Sequence, residues 1–243
     1  MTDPLFGAPV APAQATAWQH ATVTAITTET LRAKTFRLAL ARPVRHAAGQ
    51  HYVVRLTAPD GYRAQRSYSV ASAPDDSGTI ELTVERLDGG EVSGFLHDVV
   101  EVGDDLEVRG PIGGFFVWPG DMPAVLLGGG SGVVPLMSML RYARALDRPE
   151  LLHLVVSVRS PDDLFYAAEL TGAGITVVYS RVAPPGGRAA GRLTAADLPP
   201  IDPATQTAYV CGSAGFAGAA GQLLLDAGMP ADRIKVERFG PTA

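Results

Sequence analysis

The hydrophobic pattern of the chain changes once. Between residues 18 and 118 the apolar positions come in short segments rich in β-branched or aromatic residues, at 21–26, 35–40, 52–56, 66–71, 79–86 and 106–109. Turn clusters separate them, among them Pro59-Asp60-Gly61, Pro74-Asp75-Asp76-Ser77-Gly78 and Asp88-Gly89-Gly90. Six short strands at this spacing predict a closed antiparallel barrel. One short helix, at 92–100, interrupts the series. After Trp118-Pro119-Gly120 strand-like segments (124–127, 152–157, 175–180, 208–211 and 234–239) alternate with helical ones. Val133, Leu136, Met137 and Leu140 recur at i, i+3, i+4 and i+7, one face of a helix. A later helix holds Leu223 and Leu224 and stops at Gly228, before Pro230. Alternating β and α elements imply a parallel sheet covered on both faces. The expected fold class is a β barrel plus α/β: an Ala- and Pro-rich tail at 1–17, a six-stranded antiparallel barrel domain at 18–119 and a parallel-sheet domain at 120–243.

Composition narrows the function classes. A length of 243 residues with 47% hydrophobic and 19% charged residues suits two ordinary domains with buried cores. The net charge of −5 argues against a dedicated nucleic-acid binder, whose affinity comes largely from a basic surface. The single cysteine, Cys211, excludes an intrachain disulfide and a self-supplied four-cysteine cluster or zinc site. The histidines at 20, 46, 51, 97 and 153 have no metal-like spacing, so no metal site is expected. The N-terminus has no basic start followed by an apolar stretch and is a poor signal peptide. The best apolar stretch, at 124–140, is broken by Gly128, Gly129, Gly130 and Pro135, so no membrane span is expected and a cytoplasmic protein is.

Three motifs bear chemistry. In Arg66-Ser67-Tyr68-Ser69, a strand puts Arg66 and Tyr68 on one face and the two serines on the other. The arginine suits a phosphate and the tyrosine suits an aromatic ligand. Taken alone, the four residues also read as a plain strand with a surface arginine. Gly89-Gly90-Glu91-Val92-Ser93 opens the helix at 92–100, and helix N-termini attract anions. Alone, it reads equally as a turn with a serine cap. The stretch 126–135, with Gly128-Gly129-Gly130-Ser131-Gly132-Val133-Val134-Pro135 at its centre, is a strand, a glycine-rich turn and a helix start. Such a turn brings backbone N–H groups to a pyrophosphate. It is neither a GxGxxG fingerprint nor a Walker A loop.

In this order the motifs resemble the ferredoxin–NADP reductase superfamily of flavoproteins. That family joins a flavin-binding barrel with an R-x-Y-S strand to a nicotinamide-binding domain with a G-G-x-[ST]-G-x-x-P loop. Residues 110–115 resemble the family's G-P-x-G-x-F barrel end, and Cys211-Gly212 resembles its C-G turn. The nearest likeness is to bacterial stand-alone FAD-binding ferredoxin reductases ending in E-R-F-G. The resemblance implies FAD and NADPH as cofactors. By it, Arg66 and Ser67 lie at the flavin phosphate, Tyr68 packs on the flavin, and Ser69 lies near flavin N5. Val84 and Arg86 line the flavin, with Arg86 reaching the pyrophosphate. Gly90, Val92 and Ser93 hold phosphate oxygens, and Phe239 covers a flavin face. Gly129, Gly130, Ser131, Gly132, Val133 and Pro135 form the nicotinamide-nucleotide loop, with Cys211 and Gly212 beside the nicotinamide. Ser69, Cys211 and Glu237 are the expected catalytic residues. Cys211 reads either as a small polarizable wall or as an inert strand cysteine, and Glu237 either as a proton relay or as a partner of Arg238. Ser213-Ala214 departs from the family, which often has Pro and Thr after C-G.

Ser157 and Arg159, at the end of the second strand of the parallel sheet, supply donors suited to a 2′-phosphate and favour NADPH over NADH. Arg181 ends the next strand and is a further candidate. Tyr166 reads equally as an adenine platform and as a residue facing the sheet. The implied activity is an FAD-dependent NADPH oxidoreductase passing electrons to a separate carrier, with a ferredoxin first and a flavodoxin or an oxygenase component next. A flavin reductase or diaphorase, and a non-catalytic flavin-binding interaction subunit, remain alternatives.

Overall fold

A computed structural model of the chain describes residues 17–239. The expected tail therefore lies outside the described residues apart from exposed Ala17, as do Gly240-Pro241-Thr242-Ala243. Six antiparallel strands come first: β1 (Gln19–Thr30), β2 (Ala33–Leu40), β3 (His51–Thr57), β4 (Arg63–Ser69), β5 (Thr79–Glu85) and β6 (Asp105–Ile112). Their order is β4-β3-β6-β1-β2-β5, and an antiparallel bridge between Val70 and Leu82 joins the two edges into the barrel. Between β5 and β6, helix α1 (Glu91–Asp98) turns Val92 and Leu96 into the barrel core. That core is made by alternate strand residues such as Phe36, Leu38, Ile80 and Leu82.

The barrel strands depart from expectation at their ends. β1 runs to 12 residues because two register shifts, at Val23/Ala25 and Thr28/Thr30, let it bend without leaving β2. β4 begins three residues early and ends at Ser69, where the chain leaves the sheet. β6 continues through Gly110 because a residue with a Cβ there would lie 2.6 Å from the Tyr52 ring.

The second half is a five-stranded parallel sheet: β7 (Ala124–Gly129), β8 (Leu152–Val158), β9 (Ile175–Tyr179), β10 (Thr207–Gly212) and β11 (Ile234–Arg238). The order is β11-β10-β7-β8-β9. The period of two in β7 decides which side each residue faces. Ala124 and Leu126 pack with helix α2 (Val133–Ala145), while Val125 and Leu127 pack with helix α3 (Ala214–Asp226). Helix α3 is nearly invisible to a search for large apolar residues. Its buried stripe is Ala217, Ala220 and Leu224, at i, i+3 and i+7. Strand order runs outward in opposite directions from β7 and β10; the C-terminal ends of two such strands are where open α/β sheets place a binding crevice. No helix among the described residues is long and apolar enough to cross a membrane.

Candidate functional site

The first cluster surrounds the start of α1. Gly90 caps that helix without a side chain, and the first helical bond is Gly94 N–H to the Gly90 carbonyl at 2.8 Å. The N–H groups of Glu91, Val92 and Ser93 therefore have no intrahelical acceptor. Gly89, at φ 71°, and Gly90 shape the turn; a Cβ on Gly90 would meet the Ser93 hydroxyl at 2.5 Å. An open cleft of about 440 Å³ is lined by residues 86–91 and Gly94. Arg66, on β4, is exposed; among the described residues its side chain's one hydrogen bond runs to the neighbouring Gln65 carbonyl, and no carboxylate lies within ion-pairing distance. Arg86 lines the cleft but is held by Asp98 at 2.8 Å, which keeps the Asp98 carboxyl below its ordinary range.

Three of the expected residues here have buried side chains. The Ser93 side chain is 4% exposed and its hydroxyl accepts the Leu87 N–H at 3.1 Å, so it staples the turn instead of facing a ligand. The Val92 side chain packs in the barrel core, leaving only its N–H for an anion. Val84 is also a core residue, and its carbonyl takes a hydrogen bond from His97 Nε2 at 2.9 Å.

The second cluster is the end of β4. Ser67 is exposed, whereas Tyr68 and Ser69 are half-buried. Tyr68 packs against the barrel core, and burial raises its phenol above the ordinary value. Ser69 pairs in register with His51, whose imidazole burial holds below its usual range and therefore neutral.

The third cluster is the crevice between β7 and β10, where Gly128 pairs with Cys211. A single 3-10 turn, Gly130–Gly132, links β7 to α2. Gly130 takes φ 56°, a left-handed conformation that glycine adopts freely. A Cβ on Gly132 would lie 2.1 Å from the Cys211 carbonyl oxygen. Gly129 and Gly212 both underlie the Phe216 ring, at 2.5 and 2.6 Å from where their Cβ atoms would be. Ser131 is half-buried in this turn. Val133 and Pro135 open α2 with buried side chains; the Val133 N–H is bonded to the Gly130 carbonyl, and proline has none to give. The loop facing the crevice is thus residues 129–132.

Cys211 is 3% exposed, and burial, reinforced by Glu237, pushes its thiol well up. It stays a neutral thiol, which fits a wall and not a nucleophile. Glu237 is its register partner on β11, with its carboxyl pushed up to about 7 by burial. No ion pair joins Glu237 to Arg238 among the described residues. The Phe239 N–H donates to the Gly212 carbonyl at 3.2 Å, and its ring is 40% exposed.

Farther along the sheet, Ser157 is the register partner of Gly129. Arg159 and Arg181 are exposed side by side, the Arg181 N–H donating to the Arg159 carbonyl at 2.9 Å. Tyr166 does not join them. It is 4% exposed, lies under Arg141, and bonds its hydroxyl to Thr83 of the barrel. This burial supports the reading of Tyr166 as a residue facing the protein interior. The same region contains a polar seam that the sequence does not signal: Arg141 of α2 reaches the Ala71 carbonyl and Glu81, respectively 70 and 60 residues away.

The donor set suits a flavin dinucleotide and a nicotinamide dinucleotide. Free N–H groups and an unpaired arginine meet at one corner, and a glycine loop with no room for side chains meets a crevice at the other. Comparison with known proteins agrees. Residues 20–117 match the family model "Oxidoreductase FAD-binding domain", and residues 126–222 match "Oxidoreductase NAD-binding domain". The reductase component of propane 2-monooxygenase from Rhodococcus jostii is 32% identical over 193 residues, covering 74% of this chain and 52% of that protein. The ferredoxin–NAD(P)(+) reductase component of the naphthalene 1,2-dioxygenase/salicylate 5-hydroxylase systems of a Ralstonia species is 29% identical over 232 residues, covering 91% and 69%. The crystal structure of an Amycolatopsis cytochrome P450 reductase superposes with a TM-score of 0.78 at 30% identity, covering 93% of this chain and 71% of that one. The chain spans about half the length of the Rhodococcus protein.

Proposed function

This chain belongs to the ferredoxin reductase family of FAD- and NAD(P)-binding oxidoreductases, and from that premise we propose that it takes hydride from NADPH onto FAD and passes electrons to a separate carrier. The observation that carries the proposal is the backbone contact at the switch point between β7 and β10. There the glycine loop closes on the Cys211 carbonyl too tightly for a Cβ, leaving backbone to face a pyrophosphate. We place the division between the two domains near residue 120, with 18–119 for the flavin and 120–243 for the nicotinamide nucleotide.

When bound, the cofactors supply the redox chemistry, a hydride transfer followed by electron release in single steps. The chain supplies binding, orientation and electrostatics. Arg66 and the free N–H groups of α1 hold flavin phosphate, with Arg86 joining if it releases Asp98. Tyr68 gives the flavin a packing face and Ser69 borders its reactive edge. Gly129, Gly130, Ser131 and Gly132 receive the nicotinamide nucleotide. Cys211 and Gly212 would wall the nicotinamide, and Phe239 would cover one face of the flavin. The Glu237 carboxyl, pushed up to about 7 by burial, is poised to hold or release a proton beside them at neutral pH. Arg159 with Ser157, joined by Arg181, receives a 2′-phosphate, which is the basis for NADPH over NADH.

For the acceptor we infer a ferredoxin first. The Ralstonia relative is named as a ferredoxin–NAD(P)(+) reductase component, and the single cysteine here leaves a four-cysteine cluster to another polypeptide or segment. An oxygenase component is next, as the Rhodococcus name suggests. A free, buried thiol suits a reducing cytoplasm.

The test is anaerobic. The FAD-loaded protein is mixed with NADPH or NADH and its yellow absorbance followed. Rapid bleaching with NADPH, then recovery on adding oxidised ferredoxin, supports the proposal. No bleaching with either nucleotide refutes it. Bleaching reversed only by free flavin or quinone replaces the carrier role with a diaphorase.

A further inference from the structure

Helix α2 does two things along one length. At its start it carries the glycine loop that abuts Cys211. Two turns on, Ser138 donates to the Ser72 carbonyl at 2.7 Å, and three residues later Arg141 donates to the Ala71 carbonyl at 3.0 Å. Ser138 and Arg141 share a helix face by their spacing. Arg141 lies about 12 Å along the helix from Val133 at 1.5 Å per residue. The carbonyls they hold belong to the second and third residues after Ser69.

The gripped segment is fixed from the barrel side as well. The Val70 N–H donates to the Gln50 carbonyl, the Ala71 N–H to the Glu81 carbonyl, and His46 Nε2 to the Ser72 carbonyl at 3.1 Å. Arg141 is itself aimed by Glu81 at 2.8 Å and by Glu169, and the Tyr166 ring lies beneath its guanidinium. Its side chain is 19% exposed and that of Glu81 17%. A charge so enclosed keeps one orientation because its partners hold it on several sides.

We propose that Arg141, assisted by Ser138, is a positioning residue for hydride transfer: it ties the segment following Ser69 to the helix that begins at the nucleotide loop. The proposal rests on the NADPH-to-flavin reading given above. A reaction between two held rings is sensitive to small displacements, and a misplacement of about 1 Å costs on the order of 100-fold in rate. Neither residue touches a cofactor in this account, so binding and transfer should separate.

The test uses the full chain loaded with FAD and the variants Arg141→Ala, Arg141→Lys and Ser138→Ala. Three quantities are measured: flavin content with NADP+ affinity by calorimetry, amide hydrogen exchange at Val70 and Ala71, and bleaching rate at saturating NADPH. For Arg141→Ala the expected result is bleaching slower by about ten- to a hundredfold, with faster exchange at both amides and flavin content and NADP+ affinity within about twofold of the parent. Arg141→Lys, which keeps the charge without the fork, should be intermediate. Ser138→Ala should shift in the same direction by less, and it decides the matter if Arg141→Ala does not fold. Unchanged bleaching in the variants overturns the proposal, as does slowing fully explained by lost flavin or weaker NADP+ binding. A parent that bleaches while the variants match it sinks this inference alone. A parent that never bleaches sinks the reading beneath it as well.

Discussion

Two glycines of the same short turn should fail for different reasons when substituted. Gly132 has φ −64° and ψ −10°, a conformation open to any residue, so an alanine there meets only a lack of space. Its Cβ would sit 2.1 Å from the Cys211 carbonyl oxygen, 2.4 Å from the carbonyl carbon and 2.8 Å from the Gly212 nitrogen. All three obstacles are backbone, held in register between β7 and β11. Restoring an ordinary contact requires the turn to retreat by roughly 1 Å, and overpacking of this kind costs about 1–3 kcal/mol. Gly130 is the reverse case: φ is 56° and nothing lies within 4 Å of a Cβ. Alanine there carries only the left-handed penalty, about 1 kcal/mol. Asparagine discriminates the two, because it tolerates left-handed backbone but is larger than alanine. Gly130→Asn should recover part of the stability lost in Gly130→Ala, while Gly132→Asn should be worse than Gly132→Ala. Denaturant unfolding of the four variants, followed by a probe in the parallel sheet, gives the comparison. NADP+ calorimetry on Gly132→Ala should show a loss of about tenfold or more. If Asn and Ala rank alike at both positions, or if Gly132→Ala binds NADP+ as the parent does, the steric account of this turn is wrong.

Arg66→Ala should weaken FAD retention by about ten- to a hundredfold, the equivalent of one charge-assisted contact of about 1.5–3 kcal/mol; flavin fluorescence on dilution measures it, and undiminished retention counts against a phosphate role. Arg159→Ala should lower the ratio of kcat/KM for NADPH over NADH by about ten- to a hundredfold, less at high salt because the site is exposed; an unaltered ratio removes Arg159 from the 2′-phosphate site. Glu237 has a folded-state value of about 7 against an ordinary value near 4.5, so the fold favours its protonated form. Its stabilising contribution is then complete below about pH 4.5 and disappears as pH rises through about 7. Unfolding midpoints of the parent relative to Glu237→Gln should follow that window, and a constant difference from pH 4 to 8 contradicts the buried carboxyl.

The sequence made the layers and the motifs legible because both are local. Alternation and turn residues mark the strands, and glycines mark turns where a Cβ has no place. It left unread the surroundings of residues whose partners are assembled from afar. Val84, Val92 and Val133 stand in or beside the motifs, yet their side chains point into cores. A motif specifies where backbone must come close and leaves open which way a neighbouring side chain turns. Ser93 is an instructive case: a serine at a helix start suggests a ligand contact, and this hydroxyl also accepts the Leu87 N–H, a bond the motif does not signal. Tyr166 was undecided from sequence because its partner, Thr83, is 83 residues away. The Arg141 seam has the same character, since one arginine in a helix gives no sign of a carbonyl 70 positions earlier.

The joint between the two halves explains why cofactor choice should lie with exposed residues. Ala48, Phe116 and Trp118, from the barrel side, belong to the same buried cluster as Leu136, Met137 and Leu140 of α2. The connecting segment is secured as well as packed: the Tyr209 hydroxyl donates to the Val117 carbonyl at 2.7 Å, and Trp118 Nε1 donates to the Met122 carbonyl at 2.8 Å. Phe116 meets Tyr209 edge-on at 5.4 Å, and Trp118 meets Tyr142 at 6.0 Å. A connection with this much buried aromatic surface is a poor hinge, because swinging it would expose the cluster to water. The crevice at β7 and β10 therefore has its width set by two cores and a polar seam that any substitution disturbs at a cost in stability. Arg66, Arg159 and Arg181 stand outside those cores, free of carboxylate partners among the described residues. On the proposed assignment, changing them alters which phosphates are held while leaving the frame intact. Selection between closely related nucleotides can then proceed at the rim, at positions where a substitution typically changes stability by less than about 0.5 kcal/mol.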